Sequence, residues 1–363
     1  MRTSSSSEKP GTSLHHPIVD MTTGTSDTPL VIPVFIPHQG CPQNCLFCNQ
    51  VSISGKSAAA KEDDAALVSR TVTEWLDRSR HRTEVQVAFY GGSFTCLPVG
   101  RQIRLLDAVH HFIQSNDVSS IRLSTRPDCI DAEICDLLLE KGVKTVELGI
   151  QSLDNHVLSA SNRGHSCEDS LLAAGILKEK RLQLGIQLMP GLPGETTVSF
   201  FKSLQQVIAI KPDFVRLYPT LVIRGAGLAK EYENGKYEPM TMNRAIALCC
   251  RAKERLESAG IKIMRMGLQA SETLEKELLA GPYHPSFGEL VAARYWFRRV
   301  RALLAACSPG KKLHLQISDR DISAFVGQKR INIKRLQKLG LEKRLKLETD
   351  KSLKRGELKV VVD

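Results

Sequence analysis

Three thiols share one short stretch of sequence. Cys41-Pro-Gln-Asn-Cys45-Leu-Phe-Cys48 spaces them as C-x3-C-x2-C. Thiolates converging on one point are costly unless a cation holds them, so the spacing points to a metal centre. Two kinds of centre suit it. Zinc prefers four ligands, and His38 is near enough in sequence to be the fourth. An iron–sulfur cube with three protein ligands leaves one iron open to bind something else, and the spacing favours the cube. The remaining cysteines (96, 129, 135, 167, 249, 250 and 307) are scattered and read as small buried hydrophobes.

The elements that must hold this loop are legible around it. Short β-branched runs at 31–36, 85–90, 121–125, 145–150, 182–189, 214–218 and 261–266 alternate with helix-like segments at 61–79, 99–115, 131–141, 167–180, 196–210 and 241–259. That alternation predicts parallel strands joined by helical crossovers. The unusual residues sit just after the strands. Cys41 follows the first, Gly91-Gly92-Ser93 the second, Arg126-Pro127-Asp128 the third, Gln151 the fourth and Pro190-Gly191-Leu192-Pro193-Gly194 the fifth. In barrel-like α/β folds the C-terminal strand ends and their loops form the active face. Ordinary turns would explain the Gly and Pro here, but not the Cys and Gln. Cys96 and Cys129 also follow strands two and three, which leaves a role toward substrate open to them.

The chain has 363 residues, 42% hydrophobic and 25% charged, enough for a large domain with an appendage. Ten dilute cysteines argue against a disulfide scaffold and for a reducing cytoplasm. No apolar run is long enough for a membrane span, and no secretory signal is expected. Residues 1–29, rich in Ser, Thr, Gly and Pro, read as a disordered tail. Residues 30–270 form the α/β core and 271–310 a helical linker ending at Ser308-Pro309-Gly310. Residues 311–363 form a small basic α/β unit. They carry 15 Lys and Arg against 7 Asp and Glu, or +8 of the formal +11, which suggests a polyanionic partner.

The triplet placed after the first strand of a repeating β/α chain resembles the radical S-adenosylmethionine (SAM) enzymes. The resemblance implies a partial (β/α)6 TIM-like barrel with Cys41, Cys45 and Cys48 ligating a 4Fe–4S cluster. The open iron would chelate SAM, and electron transfer from a donor such as flavodoxin or ferredoxin would cleave it to a 5′-deoxyadenosyl radical. Gly91, Gly92 and Ser93 resemble the glycine-rich turn whose backbone contacts the SAM amino group. Ser124 sits where relatives often carry a Glu contacting SAM. Gln151 and Arg163 match a polar pair used near the SAM ribose and carboxylate, and a guanidinium suits a carboxylate through its two-pronged geometry. Gln187 lies where related enzymes have a ribose-binding Asp, Tyr218 would offer backbone to the adenine, and Phe35 lies beside the cluster loop.

Within that family, Gly91-Gly-Ser-Phe-Thr, Thr125-Arg-Pro-Asp, Val146-Glu-Leu-Gly-Ile-Gln-Ser, Asn162-Arg-Gly-His and Tyr218-Pro-Thr-Leu-Val-Ile-Arg-Gly resemble the radical SAM core of the Elongator catalytic subunit, which acts on tRNA wobble uridine. The cysteine spacing here is the short standard form, and the residues after 270 are too few for the acetyltransferase domain. The resemblance is therefore to a bacterial Elongator-like protein without that domain, and the acetyl-dependent reaction is not carried over. In the basic unit, Ile322-Ser-Ala-Phe-Val-Gly-Gln-Lys-Arg-Ile-Asn-Ile-Lys-Arg-Leu resembles the helix–GxxG–helix centre of a KH RNA-binding domain, with Arg330 where the second glycine would stand. Gly327, Lys329, Arg330, Lys334 and Arg335 would then face RNA; the plain alternative is a basic helical hairpin. The expected function is radical modification of a tRNA or rRNA. The alternatives are a radical SAM enzyme for a small metabolite, resembling anaerobic coproporphyrinogen oxidase, and a non-catalytic, zinc-stabilised RNA-binding protein.

Overall fold

The computed structural model describes residues 29–36, 40–49, 63–79, 84–308 and 310–362. Residues 1–28 of the expected tail, and His38, lie outside the described residues. Six β/α repeats run in chain order: β1 (Leu30–Phe35), α1 (Asp64–Arg78), β2 (Val85–Tyr90), α2 (Val99–Gln114), β3 (Ser120–Thr125), α3 (Ala132–Glu140), β4 (Val143–Gln151), α4 (Cys167–Glu179), β5 (Gln183–Leu188), α5 (Thr197–Ile210), β6 (Phe214–Leu217) and α6 (Met242–Ser258). A seventh strand, β7 (Lys262–Met266), follows. All seven pair in parallel, in the order β1 to β7, as a sheet whose two outer strands are not joined. This is the curled, partial barrel the alternation implies.

Periodicity explains which face is covered. Ile32, Val34, Val87, Phe89, Ile121, Leu123, Val146, Leu148, Leu184, Ile186, Val215 and Leu217 are alternate strand positions, and all join one buried cluster with apolar residues of the crossover helices. The residues between them point to the other, concave side. Helix starts are set by local chemistry: Asp63 accepts from the first amides of α1, and Ser166 and Thr196 form capping boxes before α4 and α5.

The segment expected as a linker has a different part to play. It contains a short helix, Glu272–Glu277, a strand, Leu278–Ala280, that pairs with Val222–Ile223, and the 20-residue helix α7 (Phe287–Ala306). Phe287 and Val291 of α7 pack with Ala245 and Cys249 of α6, whereas Trp296, Val300 and Leu304 belong to the core of the C-terminal unit. That unit comprises β8 (Leu313–Ile317), α8 (Ile322–Val326), α9 (Ile331–Lys338), β9 (Leu345–Thr349) and β10 (Leu358–Val362). Its sheet runs β9-β8-β10, with β8 parallel to β9 and antiparallel to β10. Among the described residues no helix is long and apolar enough to cross a membrane.

Candidate active site

The strand-end features converge at one end of the sheet, beside the cysteine loop. Residues of that loop are tied down from several sides. Leu46 N donates to Ser161 O (3.1 Å), Asn162 Nδ2 to Asn44 O (2.9 Å), and Leu228 N to Leu46 O (2.7 Å). Gly40 enters the loop at φ +73°, and a Cβ there would lie 2.1 Å from Ser93 O, so only glycine fits against the Gly91–Ser93 turn. Cys45 is buried, and Cys41 and Cys48 are half-buried. Burial pushes the Cys41 thiol up, and Cys45 adds to this; Arg163, Arg126 and the Ser93 backbone oppose it. A bare thiolate is disfavoured at Cys41, which is the environment a cationic centre would relieve. Among the described residues, no three His, Cys, Asp or Glu side chains are gathered tightly enough to hold one metal ion. A cube seats each cysteine on a different corner and spreads its ligands wider.

Arg163 links the loop to the sheet. Its Nη1 donates to Cys45 Sγ (3.3 Å) and its Nη2 to Gly149 O (2.6 Å), while its buried Nε has no partner among the described residues. Gln151 is buried at the end of β4 with φ +70°, where the β4–β5 register shifts. A left-handed non-glycine costs on the order of 1–3 kcal/mol, and such strain concentrates at functional sites. Gln187 Nε2 donates to Gln151 Oε1 (3.1 Å), so the structure brings together these two candidates from neighbouring strands. Phe35 and Tyr90 are partners in register with ring centroids 6.5 Å apart. Ser124 is the register partner of Glu147, and Tyr218 OH accepts from Arg216 Nη1 (3.1 Å). The Ser93 hydroxyl lies 3.0 Å from Thr125 Oγ1 and accepts from Arg126 N (3.1 Å).

Sequence reasoning missed a charged belt across the concave face. Glu147 Oε1 accepts from Tyr90 OH (2.8 Å), Arg122 Nε and Nη2 (3.1 and 2.6 Å) and Arg216 Nη2 (3.1 Å); Arg216 Nε lies 2.6 Å from its Oε2. Arg122 also stacks over Phe214, and Arg216 over Tyr90. Burial, then the adjacent Glu147, push the Tyr90 phenol far above its ordinary range. Gly185 of β5 makes room for this belt, since a Cβ there would lie 2.4 Å from Phe214 and 3.1 Å from Glu147 Cγ. The signal was present: Arg122 and Arg216 are the only charges in their strands, and Glu147 sits in a run of buried positions of β4.

A second correction concerns two of the cysteines read as small buried hydrophobes. Cys96 and Cys129 are half-exposed and joined in a disulfide between the turns after β2 and β3. Both are therefore bonded, and half-exposed where buried side chains are expected.

In the C-terminal unit, Gly327–Arg330 forms the turn between α8 and α9. Gly327 has φ +73° and ψ 160°, and Lys329 and Arg330 are both left-handed, at φ +51° and +59°. The fourth position keeps the conformation of a glycine although Arg330 occupies it. Lys329, Arg330 and Lys334 are exposed, and the Arg335 guanidinium lies over the Phe297 ring of α7 at 5.6 Å. Asn332 is buried and donates to Ala293 O and Phe325 O (both 2.8 Å), fastening α9 to α7.

A partial parallel barrel with three cysteines after its first strand defines a class. Residues 35–207 match the model of the radical SAM superfamily, and residues 212–296 that of the Radical_SAM C-terminal domain. The chain belongs to the radical SAM superfamily and is an enzyme of that class. Its relatives narrow the comparison. It is 29% identical over 260 residues to the tRNA uridine(34) acetyltransferase of Methanocaldococcus jannaschii, covering 61% of this chain and 48% of that protein. It is 28% identical over 253 residues to mouse Elongator complex protein 3, covering 59% and 46%. The archaeal Elp3 structure from Methanocaldococcus infernus superposes with a TM-score of 0.60 at 24% identity, over 76% of this chain and 63% of that one, a likeness of fold. The chain thus spans about half the length of the curated relatives it matches.

Proposed function

We propose that this radical SAM enzyme carries a 4Fe–4S cluster on Cys41, Cys45 and Cys48, cleaves SAM, and modifies a uridine-bearing tRNA. The observation that carries the reading is the convergence of the three-cysteine loop, the Ser93 turn, Arg163 and the Gln151–Gln187 pair on neighbouring strand ends. When bound, the cluster and SAM supply reductive C–S cleavage and a 5′-deoxyadenosyl radical that abstracts hydrogen.

The chain's residues do the rest. Arg163 neutralises thiolate charge through Cys45 and, with its spare Nε, offers a donor to a carboxylate. Gln151 and Gln187 present amides for ribose hydroxyls, and Gly91 and Gly92 let backbone approach closely. Phe35, Ser124 and Tyr218 line the same strand ends. The belt of Glu147, Arg122 and Arg216 fixes the concave wall and excludes water from its floor. Lys329, Arg330, Lys334 and Arg335 grip RNA phosphates in the manner of a KH turn, whereas Gly327, buried and with its N–H bonded to Ser323 O, shapes the turn and does not face RNA. The relatives named for tRNA favour tRNA over rRNA as substrate; the cytoplasm as compartment and a flavodoxin- or ferredoxin-type electron donor belong to the reading through the family resemblance alone. The acetyl-dependent step of those relatives is left aside.

The test uses anaerobically purified protein with SAM and dithionite. Iron and acid-labile sulfide near four of each per chain, and 5′-deoxyadenosine release raised by tRNA, are the expected results. A zinc-only protein would defeat the enzyme reading of the cysteines, and release indifferent to RNA would favour a small-metabolite substrate.

A further inference from the structure

We propose that Cys96 and Cys129 form a second, thiol-based redox centre, which exchanges electrons with a small dithiol or a thioredoxin-class reductant and sets the rigidity of the Gly91–Ser93 turn. The two sulfurs are bonded across the loops after adjacent strands, and both residues are half-exposed, so a thiolate can reach them. The disulfide bears directly on Ser93. The Ser93 hydroxyl lies 2.8 Å from Cys96 Sγ, and Cys96 N donates to Ser93 O (3.2 Å). That same serine is the hub of the turn. Its hydroxyl meets Thr125 Oγ1 and the Arg126 amide, its carbonyl sits against Gly40, and its backbone faces the Cys41 thiol. One S–S bond thus clamps the base of the turn to the loop after β3.

The chemistry balances as thiol–disulfide exchange. A thiolate of the reductant attacks Cys129 Sγ, the S–S bond breaks, and Cys96 leaves as a thiolate held by the Ser93 hydroxyl. The reductant's second thiol then resolves the mixed disulfide. Two electrons and two protons pass to the pair, and the reductant departs as its own disulfide. Removing the cross-link unties the turn after β2 from the loop after β3, while α2 and β3 between them keep their own packing, and this raises local opening around Ser93. The inference rests on the proposed function only in naming what the turn contacts.

The experiment equilibrates the full chain anaerobically in glutathione buffers from fully reduced to fully oxidised. Differential alkylation with mass spectrometry reads the state of Cys96 and Cys129, and amide hydrogen exchange reads residues 91–97. The expected result is reversible conversion of this pair, with exchange at 91–97 at least about tenfold faster in the dithiol form. A pair that stays as thiols in excess oxidised glutathione, or stays bonded in excess dithiothreitol, overturns the redox assignment. Conversion with unchanged exchange overturns the link to the turn. The Cys129→Ala variant should exchange as the reduced wild type does in every buffer, and buffer-dependent exchange in it would also refute the link. Neither readout requires iron or SAM, so failure of the proposed function would show separately, in the iron, sulfide and 5′-deoxyadenosine measurements.

Discussion

Replacing Arg330 by glycine should leave the fold intact or firmer while weakening the RNA contact proposed for this turn. Arg330 sits at φ +59° and ψ 33°, a left-handed conformation that costs an L-residue about 1–2 kcal/mol. Arg330→Gly removes that strain and adds about 0.5–1 kcal/mol of chain entropy cost. The net is about 0.5–1 kcal/mol of stabilisation, or roughly two- to five-fold less frequent opening of α9 by amide hydrogen exchange. The same change deletes one exposed cation from the tip of the turn. If that cation meets a phosphate, the slope of log affinity for tRNA against log salt should shrink by about 0.7–0.9. Filter binding across a sodium chloride series measures it. Gly327→Ala is the control with the opposite sign on the fold. Its φ/ψ of +73°, 160° is open almost only to glycine, and a Cβ would lie 2.9 Å from Ile331 Cγ2. An unchanged salt slope in Arg330→Gly would show that the turn does not touch the nucleic-acid backbone. Faster exchange in α9 would show that the arginine holds the turn rather than straining it.

Other outcomes follow from the barrel. Glu147→Ala should destabilise the core by about 3–5 kcal/mol, because it strands the buried Arg122 guanidinium and the half-buried one of Arg216; a melting temperature within a degree of wild type would refute the belt's importance. Cys45→Ala should lose most of its iron on reconstitution, and wild-type iron content would reject the ligand assignment. Arg163→Lys gives up the paired contacts to Cys45 and Gly149, so 5′-deoxyadenosine formation should fall about ten- to a hundred-fold, read by chromatography at saturating dithionite. Two buried groups set opposite pH limits. Burial, then Arg163, lowers the His165 pKa to about 3, so the unfolded chain alone takes its proton between about 6.5 and 3, and stability drains away as pH falls through that window. Burial raises Glu195 to about 8, so its contribution is present below about 4.5 and lost as pH rises to 8. Urea midpoints from pH 4 to 9 should therefore flatten on the acid side in His165→Gln and on the alkaline side in Glu195→Gln.

What the sequence reveals follows from how each feature is encoded. All seven strands of the large sheet are legible, because each is a short β-branched run bounded by turn residues, and their parallel order follows from the helices between them. The cysteine loop is legible because its ligands are close in sequence. The Cys96–Cys129 bond is not, since it joins residues 33 apart whose proximity comes from two neighbouring strands ending side by side. The same holds for the belt: Arg122, Glu147 and Arg216 lie on strands β3, β4 and β6, and their meeting requires the curl of the sheet and the gap at Gly185. Gln151 was picked out by position, but its left-handed backbone arises from a register shift that no local pattern announces. The supposed linker helix reads as amphipathic, yet one stripe serves two different cores, and periodicity cannot tell one neighbour from two.

That shared helix works as a ruler. Twenty residues of unbroken α-helix span about 30 Å, one end seated on the barrel and the other on the basic unit. The appendage is thus a fixed outrigger, not a tethered hook. A folded RNA gripped at Lys329 and Arg330 would offer the barrel only what lies one set stride away, so selection among nucleosides can come from the span between grip and mouth before any base is read.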